Sequence, residues 1–229
     1  MTKVRSVMSE LRRGADPSRL PGMARYGIAV DRALGVSIPD LRRLARRTGR
    51  DHQLALSLWD TEVHEARILA GMVDDPLRVT KAQMERWARD FDSWDLCDQV
   101  CSNLFDGTPF AFEKAAAWST RRPEFVKRAA FATVAAAAVH RKDVDDDRFV
   151  TFLPVIEAQA TDERNYVKKA VNWALRQIGK RSPDLHREAV ACAERIRCLD
   201  SRTARWIAAD ALRELSSAAV IARLGLAGT

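Results

Sequence analysis

The chain has 229 residues, of which 47% are hydrophobic and 30% charged. A chain of this length can bury a real core, and the balance excludes extended disorder. Its formal net charge of +7 fits a polyanionic partner, and equally a solvated basic surface.

Ala, Leu and Arg dominate, and Gly and Pro are few. Alternating β-branched runs of strand length are missing, and no Asn-Gly or Asp-Gly turn joins two such runs. The expected fold class is therefore all-α. The opening Met-Thr-Lys-Val-Arg-Ser contains no apolar signal region. Pro39, Pro76, Pro109, Pro123 and Pro183 each fall near the start of an apolar-periodic segment, where the first helical turn tolerates proline. Between them, apolar residues recur at spacings of three and four: Leu41, Leu44 and Ala45; Val63, Ala66, Leu69 and Ala70; Trp206, Ala209 and Leu212. Trp59, Trp87, Trp118 and Trp206 sit in such positions and read as packing residues.

His64-Glu65 begins like a zincin helix, but Ile68 stands where the second histidine would be. Cys97 and Cys101 share a helix face with no nearby His and read as core. The run Ala129–Val139 is too short to span a bilayer. Asp143 to Asp147 is the one acidic cluster and should cap the helix after it. We expect roughly a dozen helices with short connections, no metal, no cofactor, no membrane partner, and a monomer in a reducing cytoplasm.

The most informative pair is Trp94 and Asp98, in Phe91-Asp-Ser-Trp-Asp-Leu-Cys-Asp98. Four residues apart in a helical pattern, both leave the same face one turn apart. An aromatic plate beside a carboxylate suits a permanent or developing positive charge, through cation–π and Coulomb attraction. An aspartate here could equally pair with a neighbouring arginine.

A weak repeat supports stacked helix pairs. Phe125-Val-Lys-Arg-Ala-Ala-Phe131 aligns with Tyr166-Val-Lys-Lys-Ala-Val-Asn172, an offset of about forty residues that lies in the range of HEAT-like solenoids. His64–Leu69 and Thr203–Ile207 are fainter echoes. The expected architecture is one α-solenoid domain of HEAT-like repeats over residues 1–229, with a concave basic face. Arg128 aligns with Lys169, and Trp173 lies one turn further on. The register predicts that these three share one face with each other and with Trp94 and Asp98. Read locally, Trp173 would be a core aromatic, and Lys127-Arg128 an exposed basic pair.

Six segments in order carry a resemblance over residues 4 to 215: Met-Ala-Arg-Tyr26, Leu-Gly35, Leu-Trp59, Ser-Trp94-Asp-Leu-Cys-Asp98, Lys-Arg128-Ala-Ala, and Lys-Ala-Val-Asn-Trp173-Ala-Leu-Arg176. Together they resemble the DNA alkylation-repair glycosylases of the AlkD type. The resemblance implies that Trp94 and Asp98 flank a damaged nucleotide and that Arg128 contacts the DNA backbone. It further implies that Trp173 completes the cleft and that Tyr26 belongs to it. Lys169 joins the DNA-binding set through the repeat.

The activity implied is hydrolysis of the N-glycosidic bond of cationic alkylated purines, such as N3-methyladenine and N7-methylguanine, in duplex DNA without base flipping. The chain departs from the family at Ile38, where a polar, phosphate-facing residue is usual, and at Cys97. Residues 17–34 supply an N-terminal helix that one non-glycosylase branch lacks. The alternatives are a non-catalytic solenoid that binds distorted or branched DNA, and a protein-interaction scaffold.

Overall fold

The computed structural model of the chain describes residues 3–226. Among the described residues every regular element is helical, and none is long and apolar enough to cross a membrane. The contacts divide the chain into two compact units, with the boundary between Pro109 and Phe110.

The first unit contains α1 (Lys3–Arg13), α2 (Leu20–Arg25), α3 (Ile38–Thr48), α4 (His52–Trp59), α5 (His64–Val73), α6 (Lys81–Arg89) and α7 (Trp94–Asn103). Side-chain caps set several of the starts. Ser37, Asp51 and Thr80 each accept a hydrogen bond from the backbone N–H three residues on, at the heads of α3, α4 and α6. Helix α5 packs against α3, α4 and α7. Behind it Trp59 and Trp87 stack with ring centroids 3.9 Å apart, flanked by Phe91 and Phe105. Both indoles are fully buried, as the apolar period predicts, and so are Cys97 and Cys101. Residues 17–34 are helical only in part: a 3₁₀ turn at Pro17–Arg19 leads into the short α2, and Gly27, at φ 74°, ends it. Gly35 has φ 79°, and a Cβ there would lie 2.1 Å from the Asp16 carbonyl oxygen, so only glycine fits.

The second unit contains α8 (Ala111–Trp118), α9 (Glu124–His140), α10 (Asp146–Val150), α11 (Leu153–Gln159), α12 (Asn165–Gly179), α13 (Pro183–Arg197), α14 (Arg202–Leu215) and α15 (Ala218–Leu224). The alanine-rich α9 is buried almost throughout and packs along α12, which in turn packs on α13 and α14. Small side chains let these axes approach closely. Gly179 marks another close approach, because a Cβ there would meet Ala189 and Leu215 at 2.8 Å.

The predicted repeat appears directly at its aligned ends. The rings of Phe125 and Tyr166 lie 5.5 Å apart at the heads of α9 and α12. Glu124 Oε1 accepts a hydrogen bond from the Tyr166 backbone N–H at 3.3 Å.

Two expectations are corrected. Trp206, read as a packing residue, is 42% exposed, and Ala209 is exposed with it. The buried face of α14 consists of Thr203, Ala204, Ile207, Ala208, Ala211 and Leu215. Four of those six residues are alanine or threonine, so a stripe traced through the larger side chains falls on the wrong side. The acidic cluster supplies the N-cap position of α10, Asp145, but without a capping side-chain bond. Its neighbour Asp146 accepts instead from Arg181 Nε at 2.8 Å and from the Ser182 hydroxyl.

Candidate functional site

In the first unit the site begins where α7 begins. Trp94 is its first residue, and Asp98 stands one turn on. Leu96, Cys97, Val100 and Cys101 are buried on the inner side, which leaves Trp94 and Asp98 half-buried at the helix margin. The indole is fixed: Trp94 Nε1 donates to the Tyr26 carbonyl oxygen at 2.9 Å. Tyr26 caps α2, so its backbone position follows from the turn at Gly27. The structure therefore brings Tyr26 and Trp94 together through the Tyr26 backbone, while the phenol ring is 72% exposed.

A charged pair lies under this turn that sequence reasoning missed. His64, the first residue of α5, meets Asp95, next to Trp94, with Nε2 and Oδ2 2.9 Å apart. Burial works against a charged His64, yet the hydrogen bond and charge of Asp95, with help from Glu65 and Asp92, hold its pKa above the usual imidazole value. Burial likewise pushes the Asp95 carboxyl up, but the contact with His64 outweighs it and holds the carboxyl below its ordinary range. Each partner thus favours the charged form of the other.

Beside them Glu65 is buried and accepts from the backbone N–H groups of Leu34, Gly35 and Val36 at 2.8, 2.7 and 3.3 Å. This carboxylate pins the 34–36 segment to the head of α5, satisfying donors that no helix serves. Ile38, where the sequence departs from the family's polar residue, lines a cavity of about 190 Å³ with Met23, Ile28, Ile68 and the charged trio. The signals available in sequence were faint: a His-Glu pair without a metal-ligand pattern, and an aspartate adjoining Trp94.

In the second unit the predicted residues fall into two environments. Arg128 is only 5% exposed, and its Nη1 donates to the Tyr166 carbonyl oxygen at 2.6 Å. Lys127 is also turned inward, to Gln159 at 2.8 Å and Asp162 at 3.1 Å. The exposed basic pair of the local reading is therefore internal. Burial raises the Asp162 carboxyl, but hydrogen bonds from Arg164 and Lys127 prevail and bring it to about 2.

Lys169 is exposed, so the repeat that aligns it with Arg128 does not give the two residues a shared environment. The reason is local: α9 is sheathed along its length, whereas α12 keeps one open face. Trp173 shares that face one turn beyond Lys169 and is half-buried, neither core nor free. With the Gln177 amide turned so that its oxygen faces the ring, the Trp173 indole N–H donates at 3.2 Å. Further along α12, Asn172 donates to Asp210 at 2.6 Å, and Arg176 and Lys180 both pair with Glu214.

This is an all-helical protein of the HEAT-like repeat class. A model of the family described as DNA alkylation repair enzyme matches residues 7–215, and the chain belongs to that family. A solved structure described as "a new family of proteins related to the HEAT-like repeat DNA glycosylases with affinity for branched DNA structures" is similar in fold, with a TM-score of 0.78. The two chains are 19% identical, and the likeness covers 98% of this chain and 97% of that one. Comparison with curated proteins gives no match.

Proposed function

We propose that this protein is a monofunctional DNA glycosylase that hydrolyses the N-glycosidic bond of cationic alkylated purines, N3-methyladenine and N7-methylguanine, in duplex DNA without base flipping. The observation that carries the reading is the Trp94–Asp98 pair on one half-buried helix margin, with the indole held by the Tyr26 carbonyl. Alkylation places positive charge on the base, so the base leaves neutral and needs no general acid. As the C1′–N bond breaks, its electron pair goes to the base and cationic character develops on the sugar. Asp98 stabilises that charge and orients a water whose oxygen forms the new bond to C1′; the water's proton passes to the carboxylate or to solvent. The Trp94 face adds cation–π attraction to the same sugar. In this reading Tyr26 and Trp173 contact the DNA around the lesion and the exposed Lys169 serves its phosphates, while Arg128, buried against the Tyr166 carbonyl, holds α9 to α12.

Membership of the DNA alkylation repair family supports this reading. The test is incubation with methylated duplex DNA followed by chromatography of the supernatant. Free 3-methyladenine and 7-methylguanine are expected, and their absence under conditions where the protein binds the duplex sinks the glycosylase reading.

A second reading is a non-catalytic DNA-binding protein that recognises distorted or branched DNA. The affinity for branched DNA described for the structurally similar family favours it. Binding to a branched junction without release of any base would select it.

A further inference from the structure

We propose that the exposed face of α14 around Trp206, together with Lys168 of α12, is a binding site for an unpaired strand of DNA, with the indole stacking on a base and the flanking cations holding its phosphates. This rests on the reading that the chain binds DNA, and it adds a site outside the Trp94–Asp98 margin.

The starting observation is an indole in the wrong place for packing. Three tryptophans, Trp59, Trp87 and Trp118, are fully buried, while Trp206 is 42% exposed. Single exposed apolar residues are common on protein surfaces, so Trp206 carries weight only through what surrounds it. It belongs to a stripe: Arg202, Trp206, Ala209 and Arg213 follow helical spacing and are all exposed, opposite the buried Ala204, Ile207, Ala208, Ala211 and Leu215.

Charge then selects the partner. The Lys168 ammonium lies 5.5 Å from the centroid of the Trp206 ring. Cation–π contact at an exposed site is weak, so the ammonium can be exchanged for a base and move to a phosphate. Lys168 and Arg202 have no ion-pair partner among the described residues. Farther along the same helices the balance reverses, with Arg176 and Lys180 neutralised by Glu214 and Arg213 paired with Asp210. The uncompensated positive charge is thus gathered at Trp206. A surface meant for an apolar protein partner would gain nothing from two unpaired cations, Lys168 and Arg202, beside its aromatic anchor, whereas a nucleic-acid strand needs both. Paired bases keep their ring faces inside the stack, so an indole on a helix surface can use only an unpaired one.

The experiment is fluorescence anisotropy on the full chain with two probes of equal length, a lesion-free single-stranded oligonucleotide and its duplex, across a salt series. Trp206→Ala should weaken single-strand binding roughly five- to a hundredfold, the loss of one stacked base, and change duplex binding less than about twofold. Trp206→Phe should retain most of the affinity. Lys168→Ala and Arg202→Ala should each reduce the single-strand salt slope by about 0.7. Because Trp206 is exposed, circular dichroism should show wild-type folding for all four variants.

Unchanged single-strand affinity in Trp206→Ala overturns the proposal, as does an equal loss on duplex. A Trp206→Ala variant that alters the oligomeric state and leaves both affinities intact assigns the indole to a protein contact instead. Wild-type protein that binds neither probe removes the DNA-binding reading itself, and this site with it. Wild-type binding to duplex without a Trp206 effect removes only this site.

Discussion

The first turn of α7 and the open face of α12 place functional residues by opposite means. At α7 the candidate catalytic groups are clamped. Trp94 is tied to the Tyr26 carbonyl, and Asp95 between Trp94 and Asp98 is tied to a buried His64. Around α12 the cations divide: Arg128 and Lys127 of the neighbouring α9 are spent on internal bonds to Tyr166 and Asp162, and Lys169 of α12 itself is left in water. The contrast follows from what each task demands. A carboxylate that stabilises a developing charge works only when its geometry is preorganised, so a buried pair beneath it is useful. A cation that meets phosphates works through long-range attraction and tolerates mobility, provided that it remains exposed.

Three measurements can break or sharpen that comparison. The largest effect is expected at Asp98. Asp98→Asn preserves shape and removes charge, so base release should fall roughly 10²- to 10³-fold while DNA binding survives. Melting of the same variant tests the bland alternative. A stability loss of about 3–5 kcal/mol with normal turnover by the folded fraction would make Asp98 a structural ion-pair partner.

Next come the two cations of the second unit. Arg128→Ala removes a charged donor from the Tyr166 carbonyl and should cost about 1.5–3 kcal/mol of stability by chemical denaturation. Lys169→Ala should change stability by less than about 0.5 kcal/mol and lower the salt slope of duplex binding by about one. Equal stability losses in the two variants would erase the distinction between buried and solvated cations.

The smallest effect concerns the clamp under α7. The raised His64 pKa means that its contribution is fully present below the unfolded value of 6.5 and is lost as pH rises through the folded value. The lowered Asp95 pKa means that its contribution is present above 3.8 and is lost as pH falls through the folded value. The melting difference between wild type and His64→Gln should therefore be greatest between these two limits, and should shrink towards alkaline pH. A difference that stays flat from pH 5 to 9 would show that the pair is not ionised as described.

Much of this was legible in the chain itself. Helix content followed from composition and from spacings of three and four. The register linking α9 to α12 followed from the match of Phe125 with Tyr166, whose rings then touch. The burial of Trp59, Trp87 and Trp118, and of Cys97 with Cys101, was set by the same period. The Trp94–Asp98 spacing placed both groups on one margin, because helix geometry alone fixes positions four apart.

What tertiary structure decided was every pairing between distant residues and the side to which an ambiguous helix turned. His64 and Asp95 meet across two helices and the connections between them, and nothing local in either segment announces the partner. Arg128 looked like a surface cation because adjacency to Lys127 says nothing of what covers α9. Trp206 looked like core because a large aromatic dominates an apolar count, and the alanines that mark the buried face of α14 weigh too little in a periodicity to outvote it. Short-range periodicity selects helices and their registers; burial depends on which neighbours arrive, and that is a property of the packed chain.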